Sequence, residues 1–100
     1  YNTNDPQQLA DHLRSFAAEI AQWLKTRGYY ARTVTVKLKD ARFQVRSRSI
    51  TLGTYTREAS VISRTACQLL QQFSFEEEVR LIGLAVSNLE ARPTIQLSFF

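Results

Sequence analysis

Between Arg32 and Lys39 the chain alternates without a break: Val34, Val36 and Leu38 fall on one side, and Thr33, Thr35, Lys37 and Lys39 on the other. Successive side chains of a β-strand point to opposite faces, so this run predicts a strand with one apolar and one cationic face. Such a strand needs apolar cover on one side only. Its second face must meet solvent or a ligand.

The cover is legible on both sides of it. Leu9, Leu13, Phe16, Ile20 and Leu24 recur at helical spacing. Asp5 before Pro6 supplies a cap and a first helical residue that loses no hydrogen bond, and Gly28 supplies a stop. The first helix is therefore expected to run about 20 residues, roughly 30 Å. A second amphipathic stretch places Ala59, Ile62, Ala66, Leu69, Leu70 and Phe73 on one stripe. Gly53 to Thr56 reads as the loop before it, with Thr56 as its cap.

Two more strands complete the order. After a tight turn near Asp40-Ala41, Phe43 and Val45 read as an apolar face with Gln44, Arg46 and Arg48 opposite, which makes a hairpin with the first strand. From Val79 to Leu89 the strand character returns, with Ile82, Leu84 and Val86 on one side and Gly83, Ala85 and Ser87 on the other. Helix, strand, strand, helix, strand is what remains of a β-α-β-β-α-β ferredoxin-like unit whose first strand is missing or reduced. The expected fold class is therefore α+β: an antiparallel sheet with two helices on one face.

With 100 residues, 44% of them hydrophobic, there is enough for one core and no room for two. The formal net charge of +4 favours an anionic partner. That charge is concentrated: Arg32, Lys37, Lys39, Arg42, Arg46, Arg48 and Arg57 face only Asp40 in the segment between Arg32 and Arg57. Apolar runs fall well short of the roughly 20 residues a spanning helix needs, and no signal segment opens the chain, so no membrane partner and a soluble, cytoplasmic protein are expected. With one cysteine, Cys67, and one histidine, His12, neither an internal disulfide nor a zinc site can be assembled, and no metal or cofactor is expected in this domain. The absence of methionine makes Tyr1 an unnatural start and suggests a piece of a longer chain.

Several residues invite a sharper role and fit a plainer one. His12 and Cys67 lack catalytic partners and read as an ordinary surface residue and a core flank. Glu76-Glu77-Glu78 reads as a solvated turn rather than a metal cluster, and Trp23 with Tyr29-Tyr30 as cover for the core edge. An RNA-recognition module shares the element order but stacks bases on aromatics of its central strands. Here Phe43 alone lies in the Arg42 to Leu52 strand, on the face assigned to the core.

Three blocks in their order resemble a known family. Arg32 to Lys39, then Phe43 followed by Arg48-Ser49-Ile50-Thr51-Leu52, then Val79 to Leu89, are similar to the little-finger domain of Y-family translesion DNA polymerases. The resemblance covers roughly Asp5 to Leu89. It implies a domain joined to a palm, fingers and thumb, lying in the major groove of primer-template DNA with its open sheet face toward the phosphates. It implies DNA contact at Arg48, Ser49 and Thr51, the family's Arg-Ser-x-Thr strand, and at Arg80 and Gly83, its Arg-x-x-Gly strand. The open-face candidates beside them are Thr33, Thr35, Lys37, Lys39, Arg46 and Ser87, since Arg, Lys, Thr and Ser hydrogen-bond phosphate oxygens.

The magnesium-binding carboxylates of phosphoryl transfer would lie in the absent palm, so no catalytic residue is expected in this chain. Leu81 and Ala85 stand where some relatives carry arginine, which implies a weaker grip from the last strand. If the missing first strand is central, its absence would leave a gap and unpaired edges, inviting dimerisation or insertion of the tail.

Residues 1–89 are thus expected to form the DNA-binding domain and 90–100 a tail. In that tail Gln96, Leu97, Ser98, Phe99 and Phe100 resemble the peptide with which bacterial replication proteins bind the sliding clamp, with Phe99 in place of the usual leucine. The expected partners are primer-template DNA, the bacterial sliding clamp, and the palm, fingers and thumb of the same polymerase. The alternative is a protein-interaction module whose basic sheet face is only solvated.

Overall fold

The structure is a computed structural model that describes residues 5–73 and 78–91. Its first element, α1, spans Pro6–Arg27. The Asp5 side chain accepts a hydrogen bond from the Gln7 amide at 2.9 Å, and Gly28 ends the helix at a φ of 75°, its N–H donating to the Leu24 carbonyl. The left-handed Gly28 closes the last turn at no steric cost, while Lys25 and Arg27 complement the negative end of the helix. Capping by Asp5 contributes about 1 kcal/mol.

Three strands follow and interleave with a second helix: β1 Ala31–Asp40, β2 Val45–Thr56, α2 Ala59–Leu70 and β3 Val79–Ser87. The sheet order is β2-β1-β3, both pairings antiparallel. β2 and β3 therefore run parallel to each other with β1 between them, and α2 makes the crossover of a split β-α-β unit. β1 fills the middle of the described sheet, so no gap separates its three strands; residues 1–4, where a reduced first strand was expected, lie outside the described residues. Among the described residues the free edges are the outer ones of β2 and β3.

The expected loop at Gly53 to Thr56 is instead the end of β2. Pairing shifts register between Thr33↔Thr51 and Ala31↔Thr56, so Leu52 to Tyr55 bulge out of the ladder before it resumes. Arg32 Nε donates to the Leu52 carbonyl at 2.8 Å across this bulge. Thr56 is also not the cap of α2. That position belongs to Glu58, which makes no capping bond, while Thr56 Oγ1 accepts from the Glu58 amide at 3.1 Å.

Both helices cover one face of the sheet. Leu9, Leu13, Val34, Val36, Leu38, Ala66, Leu69, Leu70, Phe73, Val79 and Ile82 form the main buried cluster. Ala17, Ala21, Leu24, Ala31 and Ile62 form a second. In α1 the fully covered stripe runs through Ala17 and Ala21, whereas Phe16 and Ile20 are only partly buried. Small alanines let α1 approach α2 closely, which pushes the larger Phe16 and Ile20 to the flank. After β3, Glu90 and Tyr30 exchange backbone hydrogen bonds of 2.7 and 2.9 Å, so the chain is still held to the domain there. No helix among the described residues is long and apolar enough to cross a membrane.

Candidate nucleic-acid interface

Residues directly opposite in an antiparallel ladder share a face, so the register alone writes out the uncovered side of the sheet. It consists of four rows across β2, β1 and β3: Thr51, Thr33, Ser87; Ser49, Thr35, Ala85; Ser47, Lys37, Gly83; and Val45, Lys39, Leu81. None of these rows contains a carboxylate.

Chemistry changes along the rows. At one end Thr33 Oγ1 and Thr51 Oγ1 are 3.0 Å apart, Thr35 Oγ1 and Ser49 Oγ are 2.7 Å apart, and Asn88 Nδ2 donates to Thr33 Oγ1 at 2.6 Å. These hydroxyls hold one another in place, and each keeps acceptor or donor capacity for a further partner. In the middle Lys37 and Ser47 are exposed beside Gly83, where a Cβ would meet nothing within 4 Å. At the far end Lys39 is flanked by exposed Val45 and Leu81.

The structure thus brings Thr33, Thr35, Lys37, Lys39, Ser49, Thr51, Gly83 and Ser87 onto one face; the alternation predicts this for the β1 and β3 residues, whereas Ser49 and Thr51 were expected from the resemblance alone. Arg46 and Arg48 are not on it. Their register partners are Leu38 and Val36, so they emerge on the helix-covered side, and their guanidinium carbons lie 5.7 and 5.8 Å from the Phe73 ring centroid. Phe73, just past α2, is buried beneath them. The expected apolar face through Phe43 and Val45 is wrong for the same reason: both are exposed, at 60% and 64%. Ile50 and Leu52 pack against the core instead, and they share the parity of Arg46 and Arg48. Ser47, which the sequence reading passed over, follows from the same parity.

Arg80 sits at the Lys39 end, where the pairing shifts between Lys39 and Asp40, and its guanidinium carbon is 4.3 Å from the Phe43 ring centroid. Trp23 and Tyr29 stack on each other, with ring centroids 6.2 Å apart and Arg27 over the Trp23 ring at 5.3 Å, and each is partly exposed. His12 packs beside Phe16, and Cys67 is half-buried on α2. Glu78 is exposed, with its carbonyl accepting from the Ala41 amide; Glu76 and Glu77 lie outside the described residues, as do Gln96 to Phe100. Among the described residues no three His, Cys, Asp or Glu side chains are grouped to hold a metal ion.

Among the described residues, fold and face together define a two-layer α+β domain whose sheet is open on one side and rich there in hydroxyls and lysines. Comparison with known proteins makes the assignment narrower. The family described as the impB/mucB/samB family C-terminal domain matches residues 1–99. DNA polymerase IV of Methanoculleus marisnigri is 41% identical over 97 residues, covering 97% of this chain and 27% of that protein. DNA polymerase IV of Exiguobacterium sibiricum is 33% identical over 92 residues, 92% of this chain and 26% of that protein. DNA polymerase kappa of Arabidopsis thaliana is 39% identical over 85 residues, 85% of this chain and 12% of that protein. In fold, the chain is similar to Dbh DNA polymerase in its insertion ternary complex, with a TM-score of 0.74 and 21% identity over 88% of this chain and 25% of that one. The chain belongs to the impB/mucB/samB C-terminal domain family, the little-finger domains of Y-family DNA polymerases. It spans about a quarter or less of the length of these relatives.

Proposed function

We propose that this chain is the non-catalytic DNA-gripping domain of an error-prone translesion DNA polymerase, holding primer-template phosphates in the major groove with its open sheet face. The observation that carries this reading is the set of four rows without a carboxylate, in which two lysines and a hydroxyl ladder line one continuous surface. Lysine ammonium groups supply charge, Thr and Ser hydroxyls supply directional hydrogen bonds, and Gly83 lets a strand approach the backbone. Such contacts position DNA without reading its sequence, which suits an enzyme that must move along damaged templates. Nucleotide incorporation and its magnesium ions belong to a palm domain outside this chain, in a cytoplasmic enzyme.

Arg46 and Arg48 lie on β2, at an edge of the described sheet, and in this reading they reach DNA around that edge rather than from the open face. Neutralising both to glutamine is therefore expected to weaken DNA binding less than neutralising Lys37 and Lys39, a comparison made by fluorescence anisotropy with primed duplex DNA. In the same assay the unaltered chain should lose affinity steeply with salt, by a slope of about 0.9 per phosphate contacted, and show no sequence preference. A folded chain that fails to bind at low salt would overturn the reading in favour of a protein-interaction module.

The second attachment is the tail. Gln96, Leu97, Ser98, Phe99 and Phe100 have the composition of an extended peptide with apolar anchors and a directional amide, suited to a pocket on the sliding clamp. Replacing Phe99 and Phe100 by alanine should abolish clamp capture in surface plasmon resonance while DNA affinity stays within about twofold, because two anchor side chains commonly carry most of a peptide's binding energy.

A further inference from the structure

Phe43 stands where a phenylalanine is costly. Its φ of 63° lies in the left-handed region, which bulky residues rarely adopt. Burial does not offset that cost, because 60% of the residue is exposed. The turn that imposes this backbone is tightly held. Phe43 N donates to the Asp40 carbonyl at 2.9 Å and Asp40 N to the Gln44 carbonyl at 3.1 Å. The buried Asp40 carboxylate accepts from the amides of Arg42 and Gln44 at 2.9 and 3.0 Å. Backbone conformations of this kind persist where surrounding structure over-determines them, and they cluster where a side chain must be presented.

What the turn presents is an exposed aromatic ring with two cations close to it. The Arg80 guanidinium carbon lies 4.3 Å from the ring centroid and Lys39 Nζ lies 5.2 Å from it. Exposed Val45 and Leu81 flank Lys39 in the neighbouring row, and exposed Arg42 adds a further positive charge in the turn itself. Asp40 is occupied within the turn, and Glu78 borders it through its backbone carbonyl. An exposed ring flanked by cations matches the chemistry of an unpaired nucleotide, whose base stacks on the aromatic while its phosphates meet the cations. A base inside a duplex already has both faces stacked and gains little from such a ring. A protein partner would have to bury Lys39 and Arg80 against apolar surface, which is costly without matching carboxylates.

We propose that Phe43, with Lys39 and Arg80, binds an unpaired nucleotide of the DNA strand, so that the domain prefers a junction bearing a single-stranded overhang to fully paired duplex. This rests on the open face being a DNA grip, and extends it by naming the DNA structure favoured at one end of that face.

The test measures affinity of the chain for a blunt duplex and for the same duplex carrying a short 5′ overhang with 2-aminopurine as its first unpaired base. One stacked base is worth about 5- to 100-fold in affinity, so the overhang should bind at least fivefold more tightly and its fluorescence should be quenched. Phe43→Gly should remove the preference and the quenching while blunt-duplex affinity stays within about twofold, and Phe43→Tyr should keep both. The midpoint of thermal unfolding of Phe43→Gly should be unchanged or raised, because glycine suits the left-handed backbone. A ring that merely packs would lower that midpoint and weaken both DNAs equally, which overturns the proposal. So would a preference that survives Phe43→Gly, or equal affinity of the native chain for both DNAs. Failure of the native chain to bind either DNA would overturn the DNA-grip reading along with it.

Discussion

Reversing charge at Lys37 and Lys39 together, to glutamate, is expected to lower affinity for primed duplex DNA by at least about 100-fold at low salt, given roughly 1.5–3 kcal/mol for each charge-assisted hydrogen bond. The salt slope should fall by about 1 for each lysine that touches a phosphate. Both side chains leave the central strand on the open side and are flanked by Ser47, Gly83, Val45 and Leu81, none of which carries a charge that could substitute. Circular dichroism should report an intact fold, since neither lysine is part of the buried clusters. Titration by anisotropy at two salt concentrations decides the matter: an unchanged slope would mean that the rows are solvated rather than occupied.

One step along the same strand, the expected effect changes kind. Leu38 is 1% exposed, within the main buried cluster. Leu38→Ala should cost about 2–5 kcal/mol through lost burial and the cavity left behind. For a domain of this size that lowers the thermal unfolding midpoint by about 10–30 °C. At temperatures where the variant is still folded, its DNA affinity should stay close to that of the unaltered chain. Lys39→Ala makes the complementary case: weaker DNA binding with a melting midpoint moved by only a few degrees. Calorimetry and anisotropy on this neighbouring pair separate the two faces of one strand, and equal melting midpoints for the two variants would contradict the register.

These neighbours also show what the sequence could and could not reveal. The alternation from Thr33 to Lys39 assigns the faces of β1 correctly because its apolar and polar sets do not mix there. β2 mixes them: Val45 has one parity, Ile50 and Leu52 the other. Extending the apolar face from Phe43 and Val45 therefore reverses the strand and carries Arg46 and Arg48 onto the wrong side. Ile50 and Leu52 both lie inside the strand and set its parity, whereas Phe43 lies in the turn before it. The position of Phe43 could not be read at all. A left-handed backbone at a phenylalanine has no sequence signal comparable to that of Gly28, because it is imposed by the hydrogen bonds that the Arg42 and Gln44 amides donate to Asp40.

The α1 stripe shows another limit. Periodicity finds the direction in which the helix faces, but Ala17 and Ala21 rather than Phe16 and Ile20 lie deepest, since depth depends on how closely the partner helix approaches. Likewise the bulge that returns Thr56 to the ladder is a property of the pairing of two strands, not of the Gly53 to Thr56 segment that reads locally as a loop.

The place of β1 in the sheet has a consequence for motion. Among the described strands, Lys37 and Lys39 stand on the one whose backbone is paired on both sides. Their amides can exchange with solvent only when a whole pairing opens, whereas the outer edges of β2 and β3 can fray one hydrogen bond at a time. The cationic centre of the surface is thus its stiffest line and its rims are the parts that yield. In the DNA grip proposed above, a polyanion settling there would find its charges already spaced and cost the protein little freedom, so the domain would let go and re-engage quickly as the strand advances beneath it.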